Sequence, residues 1–147
     1  MNRRRAVAVL ALVGALDSLY LLLAKLGYIG GLACGISHGC DIVNTSVYSS
    51  FLGLPVAGIG LAGYVVLLAI ALAGVQPRWV AERGPDELLS LLSGGALAFT
   101  LYLSYAEFIL LRAVCQWCLL SQVVILAIFA LSLAGLLSGG QSFVQSE

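Results

Sequence analysis

Charged residues are scarce in this chain of 147 residues: Asp, Glu, Lys and Arg make up only 10% of it, and the formal net charge is zero. Soluble domains carry about 25% charged residues, so this composition excludes an ordinary water-exposed surface. A neutral chain with one His and 9% aromatic residues has little material for a nucleic-acid interface. The sequence also lacks a phosphate-cradling glycine motif, a flavin motif and a Cys-x-x-Cys-His haem motif, which argues against nucleotide, flavin or haem chemistry.

Apolar residues, in contrast, make up 61% of the sequence, and the mean hydropathy is +1.07. About 20 consecutive apolar residues cross a bilayer core as a helix. Four segments are long and apolar enough to do so: 6–24, 54–74, 88–111 and 113–137. The sequence therefore predicts an all-α integral membrane protein, a single-domain four-transmembrane-helix bundle whose outer loop, 25–53, carries a short interfacial helix. The last two spans meet at Arg112, where the chain must turn tightly.

The N-terminus has the basic start and apolar middle of a secretory signal peptide. The apolar run, however, continues past Asp17 to about Ala24, which is long enough to span, and no Ala-x-Ala-like cleavage site follows cleanly. We therefore interpret this segment as an uncleaved first span.

The Lys and Arg residues near the span ends predict the orientation, because cytoplasmic loops carry an excess of positive charge. One side has five such residues: Arg3, Arg4, Arg5, Arg78 and Arg83. The other side has only Lys25 and Arg112. The pattern predicts a multi-pass protein of the cell membrane with both termini in the cytosol, and with the outer loop and the head of the fourth span on the extracytoplasmic face.

All four cysteines then lie on the outer face: Cys34 and Cys40 in the loop, and Cys115 and Cys118 at the head of the fourth span. Disulfides form and persist on that oxidising side. A Cys-x-x-Cys disulfide closes a very small loop and removes little entropy from the unfolded chain. The spacing thus favours a redox centre over the alternative, two static structural disulfides. A zinc site that includes His38 is a weaker alternative, because this His lies in a flexible, glycine-flanked loop.

The outer loop divides into two parts. Residues 30–39 carry four glycines around Cys34, and a mobile backbone suits a thiol that must reach a second protein. Residues 40–51 can form a short helix, which is predicted to lie over the bundle as a lid. One face of that helix would carry Cys40, Val43, Val47 and Phe51. The alternative is an interfacial amphipathic helix without chemistry.

The two cysteine pairs can act as a relay, because thiol–disulfide exchange proceeds by thiolate attack through a mixed disulfide. The mobile pair, Cys34 and Cys40, can exchange with a soluble dithiol protein and then with the fixed pair, Cys115 and Cys118. The fixed pair needs a terminal electron acceptor. A lipid-soluble quinone suits this position, since it resides in the membrane and accepts two electrons.

Several stretches match a known family: LDSLYL in the first span, CDIVNTSVYSSFLGLPVAGIGLAGY running into the second and YLSYAEFILLRAVCQWCLLS running into the fourth. With the spaced cysteines, they make about residues 6–137 resemble the vitamin K epoxide reductase family in its small prokaryotic form. The resemblance implies a four-helix bundle around a quinone of the menaquinone, ubiquinone or vitamin K type. The bacterial disulfide-bond protein B type is another quinone-coupled thiol oxidase. Its two cysteine pairs occur in the opposite order along the chain, which argues against that family here.

By position, the resemblance implies a role for each cysteine. Cys34 meets the partner, and Cys40 attacks the membrane pair. Cys115 receives that exchange, and Cys118 faces the quinone ring. Many prokaryotic relatives carry a fused thioredoxin-like domain after the bundle, whereas this sequence ends at Glu147 without one. We therefore expect a separate thioredoxin-fold dithiol protein as the partner on the outer face, with membrane lipid around the bundle and no nucleic acid.

The implied quinone-binding residues are Ser46, Ser50, Cys118 and Gln122. Ser46 matches a loop Ser/Thr of the family that lies close to the quinone. Gln122 stands where the vertebrate enzymes have a tyrosine, and Ser49 or Ser50 is the nearest match to their loop Asn. Both differences argue against vitamin K epoxide as the substrate.

Two acidic residues, Asp17 and Glu107, lie within about two turns of the outer ends of their spans. A carboxyl group at bilayer depth is costly and normally faces the bundle or water. Because the reduction of a quinone consumes protons, either residue could lie on a proton path. The alternative is a neutral or hydrogen-bonded structural carboxyl group between helices.

The sequence thus predicts a quinone-dependent thiol–disulfide oxidoreductase that supports disulfide formation in exported proteins. One alternative is a quinone or vitamin K epoxide reductase whose product is the hydroquinone. An alternative of another class is a tetraspan scaffold with structural disulfides.

Overall fold

The computed structural model describes residues 2–28, 46–47, 50–78, 83–112 and 116–145, with backbone only for Asn2 and for 138–145. Four long helices dominate it: α1 (Asn2–Lys25), α2 (Val56–Val75), α3 (Gly84–Tyr105) and α4 (Gln116–Gln145). Two short strands, β1 (Ser50–Phe51) and β2 (Leu54–Pro55), precede α2. The chain of α3 continues as a π-helical segment, Ala106–Leu111.

Each of the four helices is long and apolar enough to cross a membrane, over Arg3–Lys25, Val56–Val75, Gly84–Leu111 and Gln116–Leu137. Large apolar side chains point away from the bundle on every helix, for example Leu16, Val65, Leu91 and Val123, all more than half exposed. Such a continuous apolar surface suits lipid rather than water. The predicted all-α, four-helix membrane fold is confirmed, and each predicted span overlaps one of these helices.

The helices alternate in direction, so the bundle has two ends. At one end, Arg4 of α1 contacts the last turn of α2 and the first turn of α3, and Gly135 of α4 lies beside Asp86. We call this the Arg4 end. At the other end, Leu21 of α1 packs with Ala57 of α2 and with Cys118 of α4. We call this the Cys118 end.

The core lies along α1, which packs against α2 and α4. Most of its members on α1 are alanines, whereas most of those on the other helices are larger: Val7, Ala8, Ala11, Ala15, Tyr64, Leu67, Ala71, Leu89, Val124, Ile125 and Ile128. Small residues let membrane helices approach closely, which increases van der Waals contact where the hydrophobic effect gives no help. The alanines of α1 therefore explain why this helix is central.

α1 and α2 are in tight contact at Gly14, where the ring of Tyr64 lies directly on the backbone. A methyl group at Gly14 would overlap this ring. One turn further along α1, Ser18 packs in the same way against Gly60. Glycine at position 14 is therefore what allows an aromatic ring to fit between the two helices.

A buried ion pair joins three helices at the Arg4 end. Arg4 is 8% exposed, and its Nε and Nη2 donate to Asp86 Oδ1 and Oδ2 at 3.1 and 2.9 Å. Its Nη1 donates to the carbonyl oxygen of Gly74 at 2.5 Å. The pair is bidentate, and its carboxylate, Asp86, lies in the first turn of α3, where the helix dipole favours negative charge.

At the Cys118 end, β1 and β2 form a hairpin with a two-residue turn. Ser50 is paired to Pro55, and Phe51 is paired to Leu54. Leu52 and Gly53 both have positive φ, 53° and 81°, as a type I′ turn requires. The prediction of a helix through Phe51 is wrong at this point. The reason is local: the Leu52–Gly53 turn and the Pro55 that leads into α2 favour a hairpin, and the Phe51 ring contacts Phe99 of α3 at 5.7 Å between centroids.

The predicted tight turn at Arg112 is confirmed. Arg112 has left-handed backbone angles, φ 50° and ψ 35°, and its N–H donates to the carbonyl oxygen of Glu107. The preceding π-helical segment is of a kind that is rare overall and frequent at functional sites. Arg112 itself is exposed, as expected of a cation at the edge of a bilayer.

Replacement of Arg4 by Met should destabilise the bundle by about 2 kcal/mol, because the carboxylate of Asp86 loses its partner while largely buried. In detergent, the midpoint of thermal unfolding should fall by roughly 4–8 °C. Arg5→Met is the matched control, since Arg5 is exposed. The double variant Arg4→Met/Asp86→Leu should be more stable than Arg4→Met. Equal midpoints for the two single Arg variants would contradict the proposed contribution of this ion pair.

Gly14→Ala should destabilise the bundle by about 1–3 kcal/mol, because the added methyl group must displace the ring of Tyr64. Gly95→Ala on α3 is the matched control, since nothing lies within 4 Å of its added methyl group. The control should be neutral or slightly stabilising, because Ala favours a helix more than Gly does. Denaturant unfolding of both variants measures the difference, and a stabilised Gly14→Ala would show that the two helices are not in close contact here.

Candidate functional site

A cavity of about 530 Å³ lies between the helices in the half of the bundle near Cys118. This volume is typical of sites for small organic ligands. Its wall is mostly apolar, and the polar or thiol-bearing side chains in it are Ser18, Tyr64, Thr100, Ser104, Glu107, Cys118 and Ser121. An apolar chamber inside a membrane bundle favours a lipid-soluble ligand with a few polar atoms.

Cys118 lies in the first turn of α4, where it is half-buried and lines this cavity. Its neighbour Trp117 packs on Tyr20 of α1, with 5.0 Å between ring centroids and 59° between ring planes. Leu21 of α1 packs against both Trp117 and Cys118. These contacts fix the head of α4 against α1, and so hold the sulfur of Cys118 at the cavity wall.

Tyr64 and Ser121 form a hydrogen-bonded pair across the cavity wall. The hydroxyl of Tyr64 donates to the carbonyl oxygen of Ser121 at 2.9 Å and lies 2.8 Å from its Oγ. Ser121 is three residues after Cys118, so the two side chains occupy the same face of α4, one turn apart. A polar pair thus lies one turn deeper in the bundle than the thiol.

Two other hydroxyl groups of the wall are held by partners outside the cavity. Thr100 Oγ1 donates to the carbonyl oxygen of Leu97, one turn back on its own helix. Ser104 Oγ donates to Gln122 Oε1 and so joins α3 to α4.

The two acidic residues differ in their position relative to the cavity. Glu107 is 3% exposed and is part of the cavity wall. Asp17 is 5% exposed, and neither of its carboxylate oxygens has a hydrogen-bond partner among the described residues. Asp17 is not one of the described wall residues, although the next residue along α1, Ser18, is. Of the two predicted acids, Glu107 is therefore the one that can contact a ligand in the cavity.

The structure brings only some of the predicted site residues together. Cys118 lines the cavity, whereas Gln122 points its amide oxygen toward Ser104 of α3. Ser50 is exposed at the start of β1, and Ser46 is half-buried. Their roles as quinone contacts stay predictions.

The other three predicted redox residues, Cys34, Cys40 and Cys115, lie outside the described residues, as does His38 of the zinc alternative. Within the ranges that the structure describes, no three His, Cys, Asp or Glu side chains come together as metal ligands. The relay order and the zinc alternative therefore stay untested by the geometry.

Tyr64 and Ser121 were not predicted as site residues. The signal was present, because a Tyr in a span that is otherwise apolar usually faces the protein interior. Ser121 likewise follows Cys118 at the spacing that puts two side chains on one helix face. What the sequence lacked was the rotation of α2, which decides that Tyr64 faces α4.

The membrane bundle, the ligand-sized cavity and the thiol in its wall agree with one comparison. A family model described as the vitamin K epoxide reductase family matches residues 5–133. Its members are membrane oxidoreductases that couple thiols to quinones. This match covers most of the chain, and the protein belongs to the vitamin K epoxide reductase family.

Proposed function

We propose that this protein oxidises the dithiol of a separate thioredoxin-fold protein and reduces a quinone, and so supports disulfide formation in exported proteins. Electrons pass from the partner to Cys34 and Cys40, then to Cys115 and Cys118, and then to the quinone. The overall reaction is balanced: a dithiol and a quinone become a disulfide and a hydroquinone, with two electrons and two protons transferred.

The observation that carries this proposal is that Cys118 lines an apolar cavity of about 530 Å³ inside a membrane bundle. A quinone ring fits such a chamber in size and in polarity. The described residues of the wall would hold the ring by apolar contact, and Cys118 would meet it with its sulfur. A scaffold with structural disulfides has no use for a ligand-sized chamber beside a thiol.

The proposed exchange follows ordinary thiol chemistry. A thiolate of the partner attacks the disulfide Cys34–Cys40, and a second attack releases the oxidised partner. The reduced Cys40 then attacks Cys115 of the disulfide Cys115–Cys118, which forms a Cys40–Cys115 mixed disulfide and releases Cys118 as a thiolate beside the cavity. Cys34 attacks Cys40 in that mixed disulfide, which re-forms Cys34–Cys40 and releases Cys115 reduced. Cys118 and Cys115 return to the disulfide when their electron pair passes to the quinone.

We also propose that the Cys118 end faces the extracytoplasmic side of the cell membrane, with both termini in the cytosol. The charge distribution supports this orientation. Arg3, Arg4 and Arg5 lie in the first turns of α1, at the end where α2 finishes and α3 begins. Arg78 and Arg83, which flank that connection, lie at the same end, while Lys25 and Arg112 lie at the other.

Cys118→Ala should lower the rate of quinone reduction by two orders of magnitude or more, because the thiol that transfers electrons is lost. Leu120→Ala is the control, since this side chain is exposed to lipid and outside the described cavity wall. Both variants should keep the far-ultraviolet spectrum and the unfolding midpoint of the native chain. Mass-tagging of the thiols, with and without quinone, follows the redox state of all four cysteines.

An unchanged rate of partner oxidation in Cys118→Ala would exclude the assignment and favour the scaffold alternative. The reductase alternative is tested with the native protein, assayed with a quinone and separately with its epoxide. Turnover with the epoxide alone would reverse the ranking of the two enzyme functions.

Glu107→Gln should lower kcat for quinone reduction by roughly 10-fold or more, because we propose that this wall carboxyl group exchanges protons with the bound ring. Asp17→Asn is the matched control, an identical change at a carboxyl group equally buried but outside the described wall. It should lower kcat much less than Glu107→Gln does, since Asp17 lies outside the described cavity wall. Steady-state rates at saturating dithiol measure both. Equal decreases of kcat in the two variants would contradict a role of Glu107 in proton exchange and would indicate that either substitution disturbs the structure.

A further inference from the structure

The hydroxyl groups of Tyr64 and Ser121 are linked to each other and to the Ser121 carbonyl oxygen, and a ligand oxygen can take over the proton that this carbonyl oxygen accepts. Each hydroxyl group carries one proton and two acceptor lone pairs. One proton is enough to link the two oxygens, which are 2.8 Å apart. The second proton can be donated to the Ser121 carbonyl oxygen or turned toward a ligand in the cavity, whose wall contains both side chains.

The position of this pair matches the reach of a quinone ring. Ser121 lies one turn along α4 from Cys118, and such neighbours have Cβ atoms about 5–6 Å apart. A ring carbon in contact with the sulfur of Cys118 therefore leaves a carbonyl oxygen of the same ring within reach of the two hydroxyl groups. Both residues belong to the cavity wall, so no side chain need lie between them and the ring.

The hydroxyl of Tyr64 is also rigidly placed. Its ring lies on the backbone of Gly14 so closely that a methyl group there would overlap it. Tyr64 is 5% exposed. A donor that is fixed before the ligand arrives loses little entropy on binding, so its hydrogen bond contributes more to affinity.

We propose that Tyr64 and Ser121 together form the site that binds a quinone carbonyl oxygen. This inference rests on the proposed function and deepens it, because it places the polar contact of the ring on α2 and α4 rather than on the outer loop or on Gln122. The donated hydrogen bond strengthens as the carbonyl oxygen gains negative charge during reduction, so the pair assists the electron transfer as well as the binding.

Tyr64→Phe and Ser121→Ala test the proposal in the full-length protein, with a short-tail benzoquinone as the probe and dithiothreitol as the dithiol. Each variant should raise the KM for quinone by about 5–10-fold, the effect of one neutral hydrogen bond, and leave the KM for the dithiol unchanged. Ser121→Thr, which keeps the hydroxyl group, should restore the native KM. Controls for the same chemical changes are Tyr102→Phe, an exposed residue, and Ser132→Ala, a buried serine outside the described wall.

Binding of the same benzoquinone provides a second measurement that does not depend on turnover. Quenching of the intrinsic tryptophan fluorescence in a Cys118→Ala background reports the Kd, which should rise about 5–10-fold in Tyr64→Phe and in Ser121→Ala. Native values of KM and Kd in both variants would overturn the proposal while the proposed function stands. A higher KM for quinone in Ser18→Ala, with a native KM in Tyr64→Phe, would assign the hydrogen-bond donor to Ser18 of α1 and overturn the proposal. If the native protein binds the quinone without oxidising dithiothreitol, the proposed function fails, and the Kd still decides on the hydroxyl pair.

Discussion

A bilayer offers no hydrogen-bond partners to a protein, and the polar contacts that join the helices of this bundle follow from that constraint. Arg4 starts a membrane helix, and its guanidinium is satisfied within the protein by Asp86 and the Gly74 carbonyl oxygen. Tyr64 brings a hydroxyl group into the interior, and Ser121 supplies its partner. The polar groups therefore fix which helix faces meet, while the apolar residues supply the lipid-facing surface and the bulk of the packing.

The cavity persists because its walls are held at both ends. The Arg4 ion pair joins α1, α2 and α3 at one end, and the Tyr20–Trp117 contact joins α1 and α4 at the other. Phe51 adds a contact from the hairpin to Phe99 of α3. The cavity wall draws on all four helices, so a ligand there would add van der Waals contacts between them.

The sequence predicts the spans, the turn at Arg112 and the family, because these depend on runs of apolar residues and on chain order. It does not predict that Tyr64 faces Ser121. The spans are apolar on nearly all sides, so periodicity gives no strong inward face, and helix rotation is decided by packing such as that of Gly14 on the Tyr64 ring. The prediction of a helix through Phe51 failed for a different reason. The spacing of the apolar residues predicts a helix, whereas the chain forms a two-residue turn at Leu52–Gly53 with the two positive φ angles of a type I′ hairpin.

Two unfavourable backbone features meet beside the cavity. The π-helical segment Ala106–Leu111 is of a rare kind, and Arg112 adopts a left-handed conformation that costs a non-glycine residue about 1–2 kcal/mol. Such features persist where the surrounding structure enforces them, and they cluster at functional sites. The π-helical segment contains Glu107, a buried carboxyl group in the cavity wall, and Arg112 ends the helix. Glu107 and Cys118 belong to adjoining helices and to the wall of one cavity, so the proposed quinone site accounts for two features that a straight α-helix would lack.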